Sequence, residues 1–420
     1  MAFNPFKENG MPIDKMFINW NKMYPESYDK HTVDPYTRLR VILLNGAEYE
    51  ANWFMHEFNR NCNNNDIRRD LAFIRRTEKQ QQMRISDLKP IDEDILETTI
   101  GYEQLAVDLT ATLAKTEPDP YVKATLDFAL LEDFDHLYRY SDLLEFDSGI
   151  HAETIVGGYT EIMPARPTIS EHRYPRDDIR YSINFDKADP LTKLNTNIIT
   201  AAEQQTMNYY MNIGCFYKND YGRQLFQEIG LIEEQHVSSY GSLLDTSCTW
   251  LENLLMHEYT ECYLYYSCMT YEKDPKIKKI WQQHLEQEIT HLHLASEMLK
   301  KYENKEWQQV FTCGGDFPML LNIEPQIDYI RGVIQNTVTN TGKCEDFVDV
   351  NDLPPDYAFF DYQHTVNGTG KDTPSHKVIQ QKLDKDGQDY RYTVDQHPIK
   401  ELQDRTKDNT KLGRVQTNKK

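Results

Sequence analysis

The sequence contains two Glu-x-x-His motifs, Glu233-Glu234-Gln235-His236 and Glu288-Ile289-Thr290-His291. Another glutamate precedes each motif at the same interval, since Glu203 stands before Glu233 as Glu258 stands before Glu288. In an antiparallel hairpin of two helices, this spacing brings both glutamates to the same height, and a Glu and a His three residues apart lie on one helix face. The pattern predicts a four-helix bundle with four carboxylates and two imidazoles at one level of its core.

An internal repeat extends this pattern over most of the chain. When the sequence is shifted against itself so that Asp34–Leu39 lies over Asp189–Leu194, Asp119-Pro120 lies over Asp274-Pro275 without a gap. Each Asp-Pro pair is expected to start a helix, because Asp accepts hydrogen bonds from exposed N–H groups and Pro fits the first turn. The repeat therefore indicates a duplication with four helices in each half.

The predicted fold class is all-α, with two duplicated four-helix bundles joined by a long linker and followed by a polar C-terminal extension. The predicted segments are an irregular N-terminal segment (1–33), bundle 1 (34–144), a linker or crossover (145–188), bundle 2 (189–300) and the extension (301–420). The extension is expected to contain one helix, Gln326–Val338, and a polar tail that adds little to the core. The basic run His172-Arg173-Tyr174-Pro175-Arg176 in the linker is expected to form a surface loop, with a lid over an active site as the alternative.

Composition restricts the functional classes. The 420 residues carry a net charge of −21, which argues against a nucleic-acid or anionic-membrane binder because these need a basic face. No apolar stretch is long enough for a spanning helix, and the first residues lack the apolar region of a secretory signal. The seven cysteines are odd in number and form no Cys-x-x-Cys pair, as expected of reduced thiols in the cytoplasm.

Four carboxylates buried together would repel one another unless protons or cations neutralised them, and oxygen and imidazole ligands suit iron or manganese. With these motifs the sequence resembles the ferritin-like superfamily, particularly its rubrerythrin and manganese-catalase branches, over about residues 48–144 and 203–299. The resemblance implies two iron or two manganese ions, with iron ahead of manganese. It implies that Glu233 and Glu288 bridge the metals, that Glu203 and Glu258 are terminal ligands, and that His236 and His291 bind one metal each.

The first half carries the same pattern in altered form. Its equivalents are Glu48, Glu78, Gln81, Glu103, Asp133 and His136. Gln81 replaces a histidine with a weaker amide ligand, and Asp133 is one methylene shorter than glutamate. Two interpretations remain open, a second and weaker metal site or a set of acids that are protonated or paired with cations.

Two pairings of the hairpins agree with the spacing. Pairing within each half is favoured, because it collects both substitutions in one copy. In the alternative, the 145–188 segment acts as a crossover, so that Glu103, Asp133 and His136 join Glu203, Glu233 and His236. Glu48, Glu78 and Gln81 then join Glu258, Glu288 and His291.

The expected function is that of a di-metal oxidoreductase acting on dioxygen or hydrogen peroxide, as a peroxidase, catalase or ferroxidase. A peroxidase would need an external electron-donor protein, because the chain lacks the paired Cys-x-x-Cys motifs of a rubredoxin domain; a homodimer is also considered. The alternatives are a di-iron oxidase of an organic substrate and a non-catalytic helical scaffold with salt-bridged carboxylates. Core packing is the first expectation for Tyr210, with a hydrogen-bonding role at the metals as the alternative, and Glu261 is considered as an additional ligand.

Overall fold

The structure, a computed structural model, describes residues 3–166, 168–387 and Arg391. These residues are mostly helical, which confirms the predicted all-α class. The α-helices are α1 (Trp20–Met23), α2 (Pro35–Asn61), α3 (Asn65–Ser86), α4 (Ile95–Thr116), α5 (Pro120–Ser148), α6 (Glu153–Val156), α7 (Thr168–Glu171), α8 (Pro190–Ile213), α9 (Asp220–Ser242), α10 (Trp250–Tyr271), α11 (Pro275–Glu303), α12 (Ile327–Thr337), α13 (Ala358–Asn367) and α14 (Pro374–Asp386). One antiparallel hairpin joins β1 (Asn340–Lys343) to β2 (Asp346–Asp349), and short 3₁₀ turns lie at Pro5–Lys7, Ile13–Lys15, Pro175–Asp178, Gly214–Phe216, Trp307–Gln309 and Val350–Asp352.

The helix boundaries follow the repeat. The first residues of helices α2 to α5 occupy the positions that are equivalent, in the repeat, to the first residues of α8 to α11, respectively. The predicted Asp caps are present, since carboxylates of Asp34, Asp119 and Asp274 accept hydrogen bonds from first-turn N–H groups at 3.0, 2.8 and 2.7 Å. Helices α5 and α11 end at Gly149 and Asn304, which are also equivalent in the repeat and are both left-handed.

The helices form two compact units, which do not correspond to the favoured pairing of hairpins within each half. Unit 1 contains residues 1–92, 182–205 and 244–322; unit 2 contains 93–181, 206–243 and the described residues from Ile323 onwards. Helix α8 is divided between the two units, at residues 205 and 206.

The hairpin α2–α3 therefore shares unit 1 with α10–α11, where α10 packs on α2 and α11 on α3. The hairpin α4–α5 shares unit 2 with α9, which packs on α5. Consequently the predicted bundles 34–144 and 189–300 each contribute to both units. The spacing of the glutamates fixes their height along a hairpin but leaves the partner hairpin undetermined, which is why the sequence permitted both pairings.

The predicted linker is largely part of unit 2, and its basic run is not a surface loop as a whole. His172 and Arg173 are buried, together with Arg166 and Glu171 from the same segment. The physical reason is an excess of buried acids on α5, since Arg166 and Arg173 pair with Glu132.

The C-terminal extension is more structured than the sequence indicated. The predicted helix at 326–338 is present as α12, but the β1–β2 hairpin, α13 and α14 were not predicted. Helix α14 packs on α5 and α9, so this part of the polar tail does join unit 2. Residues 388–390 and 392–420 of the tail lie outside the described residues. None of the helices in the described part of the chain is long and apolar enough to cross a membrane.

Candidate metal centres

Unit 1 brings together acids from four helices. Its cluster consists of Glu48 on α2, Glu78 and Gln81 on α3, Glu258 and Glu261 on α10, and Glu288 and His291 on α11, all of them buried. Ligand atoms of Glu78, Glu258, Glu288 and His291 all lie within 4.8 Å of one another. Two oxygens on opposite sides of an ion with bonds of about 2.1 Å would be about 4.2 Å apart, so this group is close to the size of one metal site.

Glu288 occupies the centre of the unit 1 cluster. Its Oε2 lies 2.9 Å from Nδ1 of His291, and its Oε1 accepts a hydrogen bond from the amide nitrogen of Gln81. The same Nδ1 lies 3.7 Å from Glu258 and 3.9 Å from Glu78. One nitrogen of His291 therefore faces three carboxylates, as a ligand of a shared cation would.

The unit 1 cluster gathers buried acids whose negative charges are only partly offset, by Arg75 and Lys79 outside ion-pair distance. Burial, followed by repulsion from neighbouring glutamates, raises the pKa values of Glu48, Glu78, Glu258 and Glu261 well above the ordinary value. Within the described part of the chain, no Lys or Arg forms an ion pair with these acids or with Glu288.

Several atoms of this cluster also lack hydrogen bonds. Both carboxylate oxygens of Glu78 and Glu261 are buried without a hydrogen-bond partner among the described residues. Leaving buried charges unpaired costs several kcal/mol each, so protons or bound cations must neutralise this cluster. A scaffold of salt-bridged carboxylates does not describe it, and its oxygen-rich donor set fits a divalent metal.

Unit 2 places two histidines around one glutamate. Oε1 of Glu233 lies 3.0 Å from Nδ1 of His136, and its Oε2 lies 3.4 Å from Nδ1 of His236. Ligand atoms of Glu103, His136 and Glu233 lie within 4.8 Å of one another, and so do those of Asp133, Glu233 and His236. All five residues are buried, on α4, α5 and α9. Glu233 is common to both groups, which is the arrangement of a carboxylate that bridges two ions.

The His236 ring is held from behind by Glu132. Its Nε2 lies 2.8 Å from Oε2 of Glu132, so that Nδ1 is directed towards Asp133 and Glu233. Burial alone would raise the pKa of Glu132. The charge of Arg173, the hydrogen bond with His236 and the charge of Arg166 lower this pKa instead, to about 2. A carboxylate behind a histidine fixes the orientation of the ring and increases its basicity, and this is the usual environment of a metal-ligating histidine.

The His136 ring has a similar but looser support. Its Nε2 lies 3.7 Å from Oε2 of Glu171, and Arg139 pairs with Glu171 and with Asp135. Burial, followed by the charge of Arg139, lowers the pKa of His136 well below its ordinary value. The ring is therefore neutral at pH 7, which is the state in which imidazole binds metals.

These supporting residues were missed from the sequence. Glu132 and Arg139 carried a signal, since they are next to Asp133 and three residues after His136, on a helix already assigned to the site. Arg173 belongs to the basic run, which was expected at the surface, and Glu171 and Arg166 carried no signal because their segment lacks helical periodicity.

The predicted second-half set of six is divided between the units. Glu258, Glu288 and His291 lie in unit 1, and Glu233 and His236 lie in unit 2. Glu203 is buried on α8, two turns before Tyr210 and on the same face of that helix.

The first-half set is divided in the same way. Glu48, Glu78 and Gln81 contribute to the unit 1 cluster, whereas Glu103, Asp133 and His136 contribute to the unit 2 cluster. The two substitutions are therefore not collected in one copy, since Gln81 lies in unit 1 and Asp133 in unit 2.

A tyrosine donates to a carboxylate of each cluster. The hydroxyl of Tyr265 donates to Glu48 in unit 1, and the hydroxyl of Tyr210 donates to Glu103 in unit 2. Tyr210 therefore takes the hydrogen-bonding role that was the alternative to simple core packing. Behind Tyr265, Nδ1 of the buried His284 lies 3.2 Å from the tyrosine oxygen.

Comparisons of the chain with protein-family models, with curated proteins and with solved structures found no match.

Proposed function

We propose that this protein is a di-metal oxidoreductase acting on dioxygen or hydrogen peroxide, with iron or manganese as the metal. The geometry of Glu233 is the observation that carries the proposal. Its two carboxylate oxygens face two different histidines, and a buried carboxylate directs one of these rings. The proposal agrees with the resemblance to rubrerythrins and manganese catalases, but it rests on the arrangement of these side chains.

The proposed ligands of unit 2 have separate roles. Glu233 would bridge two ions, His136 and Glu103 would complete one position, and His236 and Asp133 would complete the other. Glu203, in the unit 1 part of α8, stays a proposed metal ligand only through the resemblance. A bound metal pair would supply two electrons, enough to reduce hydrogen peroxide to water or dioxygen to peroxide, and a second peroxide or an external reductant would restore them.

The surroundings of the site support this chemistry. All five residues of the unit 2 cluster are buried, so bulk water is excluded from the ions. The hydroxyl of Tyr210 holds Glu103 in place and offers a proton at the edge of the cluster. A peroxidase reaction would in addition need an external reductant.

Unit 1 is proposed as a second, modified site. Glu78, Glu258, Glu288 and His291 would hold one ion. Glu48 is close enough for its charge to raise the pKa values of Glu258 and Glu261. Gln81 occupies the position of a second histidine and is a weaker ligand. We therefore expect unit 1 to bind metal less tightly than unit 2.

A second candidate function, oxidation of an organic substrate, is favoured by one cavity. A cavity of about 480 Å³ in unit 2 is lined by Tyr210, Met211, Phe226 and Leu231 among others. This volume suits a small organic molecule. Because Tyr210 also donates to Glu103, a molecule in this cavity would lie one side chain away from the proposed ligands.

The test combines metal content with turnover. The chain is reconstituted anaerobically with iron or with manganese, its metals are counted by mass spectrometry, and its consumption of hydrogen peroxide and dioxygen is followed. The double variant Glu233→Ala with Glu288→Ala removes the central carboxylate of each cluster. Its matched control is Glu234→Ala with Glu297→Ala, which removes exposed glutamates from the same helices.

Metal binding and turnover that are lost in the first double variant and retained in the second would support the proposal. Turnover only in the presence of an organic substrate would favour the second candidate function. No bound metal after reconstitution would refute both and leave the scaffold interpretation, with protonated carboxyls in unit 1.

A further inference from the structure

A basic cavity lies on the α2–α3 hairpin of unit 1. It has a volume of about 570 Å³, and its lining includes Asn52, Trp53 and His56 from α2 and Arg75, Arg76 and Lys79 from α3. These residues recur at three- and four-residue intervals, so that one stripe of each helix faces the cavity. The volume is within the range of small-molecule sites.

The cations of this cavity form no ion pairs with carboxylates of the described residues. Neither arginine nor Lys79 forms an ion pair within the described residues, and Lys79 donates instead to the side-chain oxygen of Gln82 at 2.6 Å. Nη1 of Arg75 is buried and has no hydrogen-bond partner there. Glu78 and Glu48 influence Arg75 and Lys79 through their charges without forming ion pairs with them.

The electrostatics of the cavity indicate a missing anion. Burial, followed by the charges of Arg75 and Arg60, lowers the pKa of His56, so its ring is neutral at pH 7 and does not add to the repulsion. Burial lowers the pKa of Arg75, the charge of Glu78 opposes this effect, and Arg76, its neighbour on α3, adds repulsion. A bound anion would remove this repulsion and would satisfy the buried guanidinium nitrogen of Arg75.

The shape and composition of the cavity narrow the anion. Two guanidinium groups and an ammonium group match a doubly charged phosphate better than a single carboxylate. The Trp53 side chain, which is 45% exposed, and the His56 ring provide a flat aromatic surface beside these cations. We propose that this cavity binds an organic phosphate of the nucleotide class, with its phosphate on Arg75, Arg76 and Lys79 and its planar ring against Trp53.

This site is separate from the proposed metal chemistry. Its binding groups are cations and aromatic rings, and none of them belongs to the carboxylate clusters. Arg75 is nevertheless close enough to Glu78 for its charge to lower the pKa of that carboxyl. The two sites can therefore influence each other, but either can exist without the other.

The test is calorimetric titration of the full chain with two probes, adenosine monophosphate and inorganic phosphate, with and without reconstituted metal. Loss of a charge-assisted hydrogen bond to phosphate is expected to weaken binding about tenfold or more in Arg75→Gln and in Arg76→Gln. The matched control is Arg69→Gln on the same helix, which removes an exposed arginine paired with Asp66 and should bind as the parent does. Trp53→Leu should weaken binding of the nucleotide but not of inorganic phosphate.

The outcomes separate the alternatives. Equal weakening in Arg76→Gln and Arg69→Gln would overturn the proposal, as would nucleotide binding no tighter than chloride binding. Tighter binding of a single-stranded oligonucleotide than of the mononucleotide would also overturn it, in favour of a nucleic-acid surface. Because Arg76 is exposed, its variant should fold as the parent does, and circular dichroism checks this. Metal content measured on the same variants shows whether the carboxylate clusters are intact.

Discussion

The two units use the same helix plan but surround their acids differently. In unit 1, His291 faces Glu288, Glu258 and Glu78, and its other ring nitrogen has no hydrogen-bond partner in the described part of the chain. In unit 2, Glu132 supports the ring of His236, and arginines neutralise Glu132 in turn. Similar ligands at similar heights thus differ in how firmly they are oriented.

This difference shows that a preorganised metal site requires more than its ligand residues. The arginines of unit 2 permit a charged carboxylate behind His236, because burial would otherwise raise its pKa. At the position of unit 1 that is equivalent in the repeat, Glu132 is replaced by Gln287, which donates to the carbonyl of Met16. Unit 1 therefore lacks an anion at this position. We expect stronger metal binding in unit 2, and four experiments test or refine this comparison.

The largest expected effect is that of Glu233→Ala. Since its two oxygens face both histidines, removing this side chain should eliminate both metal positions of unit 2 while the position in unit 1 remains. The measurement is metal content per chain by mass spectrometry at a low, fixed concentration of free metal. Glu234→Ala, the exposed neighbour, is the control. Full metal content in Glu233→Ala would show that Glu233 is not a bridging ligand.

The second effect is that of Glu132→Gln. The amide cannot support the His236 ring as an anion does, and loss of such support typically reduces metal affinity about 10- to 100-fold. The weakening should be confined to unit 2. Competition with a chelator of known affinity measures it in the variant Glu132→Gln, and the measurement is repeated in a Glu288→Ala background to isolate unit 2. Glu234→Gln removes the same charge from an exposed position and should have no effect. An equal weakening in both variants would mean that net charge, not orientation of His236, determines affinity.

Much of the fold was accessible from the sequence, because its signals are local. The Asp-Pro caps and the internal repeat predicted the eight long helices, and the structure contains them. All twelve candidate residues are buried, as a cluster at one height requires. The partner of each hairpin was not accessible, since Glu48 and Glu203 occupy equivalent positions and the spacing is the same for either pairing.

The surroundings of the candidate sites were harder to predict for a different reason. Glu171 and Arg173 reach unit 2 from an irregular segment, where no periodicity indicates which side chains are buried. Their burial follows from charge balance, because Arg173 pairs with Glu132 of α5 and Glu171 pairs with Arg139 of α5. Such long-range compensation is not encoded in any local pattern.

A smaller effect is expected from Gln81→His. This variant gives unit 1 the second imidazole that unit 2 already has, next to Glu288. Because imidazole is a better ligand than a carboxamide for iron and manganese, metal affinity of unit 1 should rise about tenfold. Chelator competition in a Glu233→Ala background isolates unit 1. Gln82→His, one residue further on and outside the cluster, is the control. An unchanged affinity would mean that position 81 does not contact the metal.

The last prediction concerns a difference in the pH dependence of the two units after removal of metal. The raised pKa values of Glu78 and Glu261 mean that the folded state of unit 1 binds protons more tightly than the unfolded chain does, so unit 1 should lose stability as the pH rises above about 4.5. Glu132 has the opposite sign, since its folded pKa of about 2 lies below the ordinary 4.5. Its contribution of about 3 kcal/mol to unit 2 should be complete above pH 4.5 and decrease as the pH falls towards 2.

Hydrogen exchange, corrected for intrinsic exchange rates, measures both trends when α10 and α11 are compared with α5 and α9. The variant Glu261→Gln should reduce the pH slope of the stability of unit 1 by up to about 1.4 kcal/mol per pH unit. If both units responded to pH in the same way, the proposed distinction would be contradicted. In that distinction, the unit 1 cluster needs an added cation, whereas the unit 2 cluster already has arginines around it.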